Sequence, residues 1–242
     1  MTLAQTVSVI IPTRNYGRFL KDALDSVFAQ DWPAMTVIVV DDASDDDTPQ
    51  VVETYSSKVR YVRHEDRGGT AKARNTGLGM VKEGVVCFLD SDDVWLPGAL
   101  QALMNTLASS PEADGACARM VNVPHEAMGW AGQNPGDLTG KAVQGWQAGA
   151  VAFRRTCFDQ VGGFDETLPN AEFVEWISRA RHAGLNFATT EELVVLRRVH
   201  GSNSVLTKPT LAPGYLQMIQ QHLRRKRAAG AAAVTGQGVE PG

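Results

Sequence analysis

Apolar positions along the first hundred residues switch between two periods in a regular order. Val7-Ser8-Val9-Ile10-Ile11 predicts a strand, closed by Pro12 and a polar loop through Gly17. Leu20, Ala23, Leu24, Val27 and Phe28 then recur at helical spacing. Val37 to Val40 is a β-branched run of the kind a buried parallel strand needs, and it ends in Asp41-Asp42. Thr48-Pro49 opens a helix, since proline suits a first helical turn. Val59 to Arg63 alternates as a third strand, and Arg67-Gly68-Gly69-Thr70 leads into a helix around Ala71 to Val81. Val85 to Leu89 is a fourth strand, emptying into Asp90-Ser91-Asp92-Asp93, and a helix is predicted from Pro97 to Ala108.

Such alternation builds an α/β fold, a mostly parallel central sheet with helices on both faces. The strand ends at Pro12, Asp42 and Asp90 then open on one edge, where sheets of this kind bind ligands. The second half is less regular. Strands are predicted over 115–123, 149–153 and 193–199, and helices over 156–161, 171–183 and 215–229. Pro124 to Lys141, rich in Gly, Pro, Asn and Met, reads as a long surface or active-site loop. The Ala/Gly-rich stretch 230–242 reads as a disordered tail.

Composition narrows the class. The 242 residues are 43% hydrophobic and 21% charged, enough for a sizeable core. A net charge of −4 gives no general attraction to nucleic acid. Cys87, Cys117 and Cys157 lack metal-ligand spacing, so reduced, buried thiols of a cytosolic protein are expected. The first strand begins by Val7, leaving no room for a signal peptide, and no apolar stretch reaches the length of a membrane-spanning helix. A soluble, cytoplasmic protein is the expectation.

The carboxylates at the end of the fourth strand are the main chemical signal. Like charges this close raise one another's pKa unless a cation or strong donor lies among them. Asp90 and Asp92 suit a hard divalent ion, which could in turn hold a substrate's phosphates. Asp and Ser are also ordinary turn and cap residues ahead of Pro97, so this cluster alone does not decide.

Its company does. Val-Ser-Val-Ile-Ile-Pro-Thr-Arg-Asn from Val7, Val-Ile-Val-Val-Asp-Asp-Ala-Ser from Val37, and Gly-Gly-Thr-Ala-Lys-Ala-Arg-Asn-Thr-Gly from Gly68 come in order. They are followed by Asp-Ser-Asp-Asp-Val-Trp-Leu-Pro, Phe153-Arg154-Arg155, Val161-Gly162-Gly163-Phe164-Asp165-Glu166 and Arg197-Arg198-Val199-His200-Gly201-Ser202-Asn203-Ser204. The set resembles the family 2 glycosyltransferases of the GT-A fold. That resemblance implies a metal-dependent, inverting transfer of a sugar from a nucleoside diphosphate, UDP being favoured. It implies one GT-A domain over 1–229, with a nucleotide-sugar-binding half to 114 and an acceptor-binding half from 115.

By the same resemblance Pro12, Thr13 and Asp42 flank the nucleotide base, Arg14 and Gly69 line that subsite, and Arg74 reaches a phosphate or ribose oxygen. Asp90-Ser91-Asp92 is the family's Asp-x-Asp motif. Asp92 ligates Mn2+ or Mg2+, Asp90 holds the ribose or a metal-bound water, and His200 is a third metal ligand. Arg197 and Arg198 alternate along a strand, so one of them faces the phosphates, and Arg198 is assigned. Trp146 and Gly149 are placed in the donor or acceptor pocket, with the loop 128–140 closing over the donor. Asp45 to Asp47 are expected to be a solvated acidic loop.

The catalytic base departs from the pattern. Many relatives carry Glu-Asp at the start of the helix predicted over 171–183, and the Asp takes the acceptor's proton. Here Phe173 stands in its place, after Glu172. Glu172 and Glu175 share a helix face and either can approach the acceptor, Glu172 ahead by alignment. Glu175 can instead pair with Arg179. Two rivals stay open: a catalytically silent nucleotide-sugar binder, suggested by Phe173, and a sugar nucleotidyltransferase, disfavoured by the low glycine density after Pro12. The basic run Arg224 to Arg227 is a solvated helix end or a contact to anionic lipid or an acidic peptide.

Overall fold

The computed structural model describes residues 5–128 and 142–201. Of the expected loop 124–141, residues 129–141 lie outside the described residues, as do the helix 215–229, the basic run 224–227 and the tail 230–242. Chain order is β1 (Val7–Thr13), α1 (Gly17–Phe28), β2 (Met35–Asp41), α2 (Thr48–Glu53), β3 (Val59–Arg63), α3 (Thr70–Gly79) and β4 (Val85–Phe88). Then come β5 (Val94–Trp95), α4 (Ala99–Ser109), β6 (Gly115–Pro124), β7 (Val143–Gln144), β8 (Val151–Arg154), α5 (Thr156–Val161), α6 (Glu172–His182) and β9 (Phe187–Val199).

These strands form one sheet in the order β3-β2-β1-β4-β8-β6-β9-β5, with β7 paired to β6. The pairs β3–β2, β2–β1 and β1–β4 are parallel, and β8 runs antiparallel to both β4 and β6. Because β2 and β4 flank β1 on opposite sides, the chain reverses its direction of travel there, which leaves a crevice at the strand ends.

The period of two sorts side chains onto the two faces. Val9, Ile11, Val37, Val39, Val85 and Cys87 pack under α1 and α4. Ile10, Ile38, Val40, Val86 and Phe88 face α3, α5 and α6. On this second side Phe153, Phe158, Phe164, Phe173 and Trp176 form a continuous aromatic cluster, with the Phe158 and Trp176 rings stacked at 4.5 Å. Truncating a ring as buried as Trp176 removes about 3–5 kcal/mol. Helix α3 lies so close to β1 that a Cβ on Gly77 would stand 2.5 Å from Ile10 Cγ2.

Sequence periodicity did not show β5. Its two residues pair with Val195 and Leu196 of β9. Trp95 is fully buried there, its indole Nε1 donating to Gly149 O at 2.7 Å. All three cysteines are free and buried, and burial pushes the Cys87 thiol up to about 12.

Candidate active site

The carboxyl ends of β1, β2 and β4 open into a cleft of about 380 Å3, lined by Pro12, Thr13, Arg14, Asp42, Gly69, Arg74 and the turn Asp90–Asp93. Across it stand Trp146, Gln147, Pro169, Asn170, Glu172, Phe173 and Val174. That volume is in the range of small-ligand sites, about 300–1,000 Å3.

Asp42 stands one residue past β2. Its Oδ1 accepts from Gly68 N at 2.7 Å and lies 2.9 Å from His64 Nδ1, while Oδ2 accepts from Gly69 N at 2.7 Å. Burial works to raise its pKa, but the imidazole and the two amides outweigh it and hold the carboxyl below the usual range. Gly69 has φ of +90°, which a side chain rarely adopts, and it is the cap residue of α3. The neighbouring acids are not all solvated as expected. Asp46 accepts from Gly17 N and Thr48 N at 3.0 Å each, tying the start of α1 to the start of α2.

Arg74 is buried in α3 between two carboxylates, an ion pair to Asp90 Oδ1 at 2.6 Å and a short one to Glu172 Oε1. Burial opposes its charge; Asp90 and Glu172 outweigh that and keep the guanidinium protonated. Asn75, next along, ties loops together, bonding Phe164 N, Phe164 O and Glu166.

The acid turn is fixed from behind. Asp93 N donates to Asp90 O, and β9 supplies Arg198 N to Asp93 Oδ1 at 3.0 Å and Arg198 Nε to Asp92 O at 2.9 Å. Burial first, then the charges of Asp92 and Asp90, push the Asp93 carboxyl well up. The strand's alternation does separate the two arginines, but with the opposite parity to the one assigned. Arg197 lines the cleft, while Arg198 is 2% exposed and paired to Asp22 at 2.8 Å. Asp92 Oδ2 and His200 Nε2 are 3.1 Å apart. An oxygen and an imidazole nitrogen this close suit Mn2+. Among the described residues no cluster of three or more His, Cys, Asp or Glu is arranged for a metal, so an ion here would draw further ligands from phosphate or water.

On the opposite wall, α6 begins after Ala171, whose φ of +65° is strained for a residue with a Cβ. Glu172 faces the cleft. Glu175 does not line it: its carboxylate is 1% exposed and paired with Arg179 at 3.1 Å. Phe173 packs 5.9 Å from Phe153 and 6.0 Å from Phe164. Trp146 lines the cleft with the Arg181 guanidinium 4.1 Å from its ring centroid, whereas Gly149 serves packing, wedged against Leu89 and Val195.

Five buried side-chain atoms among the described residues lack a hydrogen-bond partner, and four belong to this cleft: Thr13 Oγ1, Arg14 Nε, Arg74 Nε and Asn170 Oδ1. Unsatisfied buried groups are costly, so their gathering at one cleft singles it out as the candidate ligand site. Three of the four are donors, which suits a ligand rich in acceptor oxygens. Sequence reasoning left Asp93, Arg197 and Asn170 unassigned. The third acid of the run was the available signal for the first, strand parity for the second, and none existed for the third.

The model of Glycosyl transferase family 2 matches residues 8–159. Bacillus subtilis TuaG, a putative teichuronic acid biosynthesis glycosyltransferase, is 37% identical over 98 residues, which cover 39% of each chain. The chain thus spans well under half the length of the curated relatives it matches. Among solved structures, S. aureus TarS 1-349 in complex with UDP-GlcNAc superposes with a TM-score of 0.70 at 22% identity, over 84% of this chain and 61% of that one. The Pyrobaculum calidifontis mannosyltransferase PcManGT, in complex with GDP-Man and Mn2+, gives 0.65 at 21% identity, over 99% and 67%. At these identities the two structures establish the GT-A-type fold.

Proposed function

The chain belongs to glycosyl transferase family 2, and from that premise we propose that it transfers a sugar from a nucleoside diphosphate, UDP being favoured, to an acceptor hydroxyl or related nucleophile with inversion. The concentration of unsatisfied donors at the strand-end cleft carries this reading. Solved structures of similar fold hold UDP-GlcNAc, or GDP-Man with Mn2+, which supports both the donor class and the use of a divalent ion.

In this mechanism Pro12, Thr13, Arg14 and Asp42 hold the nucleotide, and Gly69 lets the backbone approach it. Arg74 and Arg197 bring guanidinium donors to the diphosphate. Asp92 and His200 would hold Mn2+ or Mg2+, with Asp90 and Ser91 beside them; the ion, when bound, offsets charge on the leaving diphosphate. Arg198 keeps the acid turn in place from the buried side. Glu172, at the cleft, is the base for the acceptor's proton. Diphosphate oxygens would compete with Glu172 for Arg74, releasing its carboxylate once the donor is seated. The half from 115 onward supplies the acceptor's wall, with Trp146 and Val174.

A second reading has one observation in its favour. Phe173 occupies the position of the usual acid, which fits a protein that binds a nucleotide sugar without turning it over. Thermal-shift measurements with UDP and UDP-sugars, with and without Mn2+, followed by assay for UDP release, separate these readings. We expect a metal-dependent shift that Asp92→Ala abolishes, together with release of UDP. Binding with no turnover on any acceptor selects the silent binder; a shift indifferent to metal overturns the Asp92 assignment.

A further inference from the structure

We propose that His64 is a positioning residue of the nucleotide subsite, holding the Asp42 carboxylate and, through it, the Gly68–Gly69 turn. The proposal rests on the nucleotide reading of Asp42 given above. His64 follows β3, and its backbone N donates to Asp41 O at 2.8 Å, which seats the residue between β2 and α3. Its side chain is 10% exposed. Nδ1 lies 2.9 Å from Asp42 Oδ1, and Nε2 lies 2.9 Å from Thr76 Oγ1 in α3.

An ionised carboxylate only accepts, so Nδ1 carries the hydrogen shared with Asp42. In the neutral ring Nε2 accepts from the Thr76 hydroxyl; in the cation it donates and the hydroxyl turns round. Both contacts survive either state, so the ring stays in place.

A carboxylate has about four acceptor positions. His64, Gly68 and Gly69 occupy three of those on Asp42, leaving one for a donor on the ligand. Without the imidazole, the carboxylate is held only by a turn whose own geometry depends on it. Rotation about its side-chain bonds would then spoil both the ligand contact and the cap of α3, the helix that carries Arg74.

Calorimetric titration with UDP and with GDP, in the presence of Mn2+, tests this on the full chain. His64→Leu should weaken nucleotide binding about tenfold or more, the scale of one hydrogen bond to a charged group. Donor KM should rise in step while kcat stays within about twofold. His64→Asn, whose Nδ2 can replace Nδ1, should recover most of the affinity. His64→Gln, reaching toward Thr76 instead, should not.

A Leu variant that binds as the wild type does overturns the proposal and leaves the proposed function standing. So does a fall in kcat at constant KM, or an Asn variant no better than Gln; that last pair decides alone if the Leu variant does not fold. Wild-type protein that binds neither nucleotide removes the reading of Asp42, and this proposal with it.

Discussion

On the wall made by β1, β2 and β4, the carboxylates Asp42, Asp90 and Asp93 stand at or just past strand ends and are tied to backbone or a buried partner. Thr13 Oγ1 and Arg14 Nε there are left for a ligand. Across the cleft, the α6 wall offers Glu172 on a strained first turn, Phe173 sunk into aromatic packing, and the exposed Val174. The first wall is set by the parallel sheet, whose register leaves little freedom to the groups at its edge. The second hangs on a loop and a helix start, where one substitution can exchange a proton acceptor for a ring without disturbing the sheet. On the proposed function, donor binding and proton removal are therefore separable properties.

The largest effect that could break the comparison is at Glu172. Glu172→Gln should slow sugar transfer about 100-fold or more, the usual contribution of a positioned base, while UDP titration still registers binding. If binding and turnover fall together, Glu172 acts on the donor wall through Arg74 instead. Phe173→Asp comes next. The new carboxylate would lie among Phe88, Phe153 and Phe164, so urea denaturation should show a loss of about 3–5 kcal/mol and turnover should not rise. A stable, faster variant would mean that the second wall can recover the common pattern in one step.

Glu175→Gln should cost about 2 kcal/mol through the weakened Arg179 pair, with activity per folded molecule unchanged. The smallest effect is acid stability. Asp42 has a depressed folded pKa, so its contribution is present above the ordinary value of 3.8 and is lost as pH falls through the folded one. Urea midpoints measured from pH 5 downward should therefore fall less steeply for Asp42→Asn than for the wild type.

The wall made by β1, β2 and β4 was legible because parallel strands announce themselves as apolar runs and stop at polar residues, as at Asp42 and Asp90. In the second half, helices were found where a glycine marks their end, as Gly162-Gly163 does for α5 and Gly184 for α6, and strands where the apolar pattern was clear. They were missed where it was not: β5 has two residues, too few for any period, and β9 extends back to Phe187 through exposed positions. Arg198 shows the limit for side chains. Its residue type named phosphate as a plausible partner, but the one it found, Asp22, depended on packing between elements far apart in sequence. The pairing of Arg74 with both Asp90 and Glu172 joins residues 16 and 98 positions away, which no local pattern encodes.

Strand β9 carries Arg197 on the cleft and Arg198 on the buried side, and it does so only by the pleat. Replacing either arginine removes the contacts of that side chain alone, which for Arg198 are those to Asp92 O, His125 and Asp22. Deleting one residue just ahead of them, where no bulge absorbs it, would put Arg198 on the cleft and Val199 in the buried slot, leaving Asp22 without its guanidinium. The stretch of β9 beside the acid turn thus tolerates neither a loss of Arg198 nor a deletion, whereas the bulges that β9 carries against β6 between Thr189 and Val195 already take up extra residues. Insertions that diversify such proteins have room there and in the loops on either side.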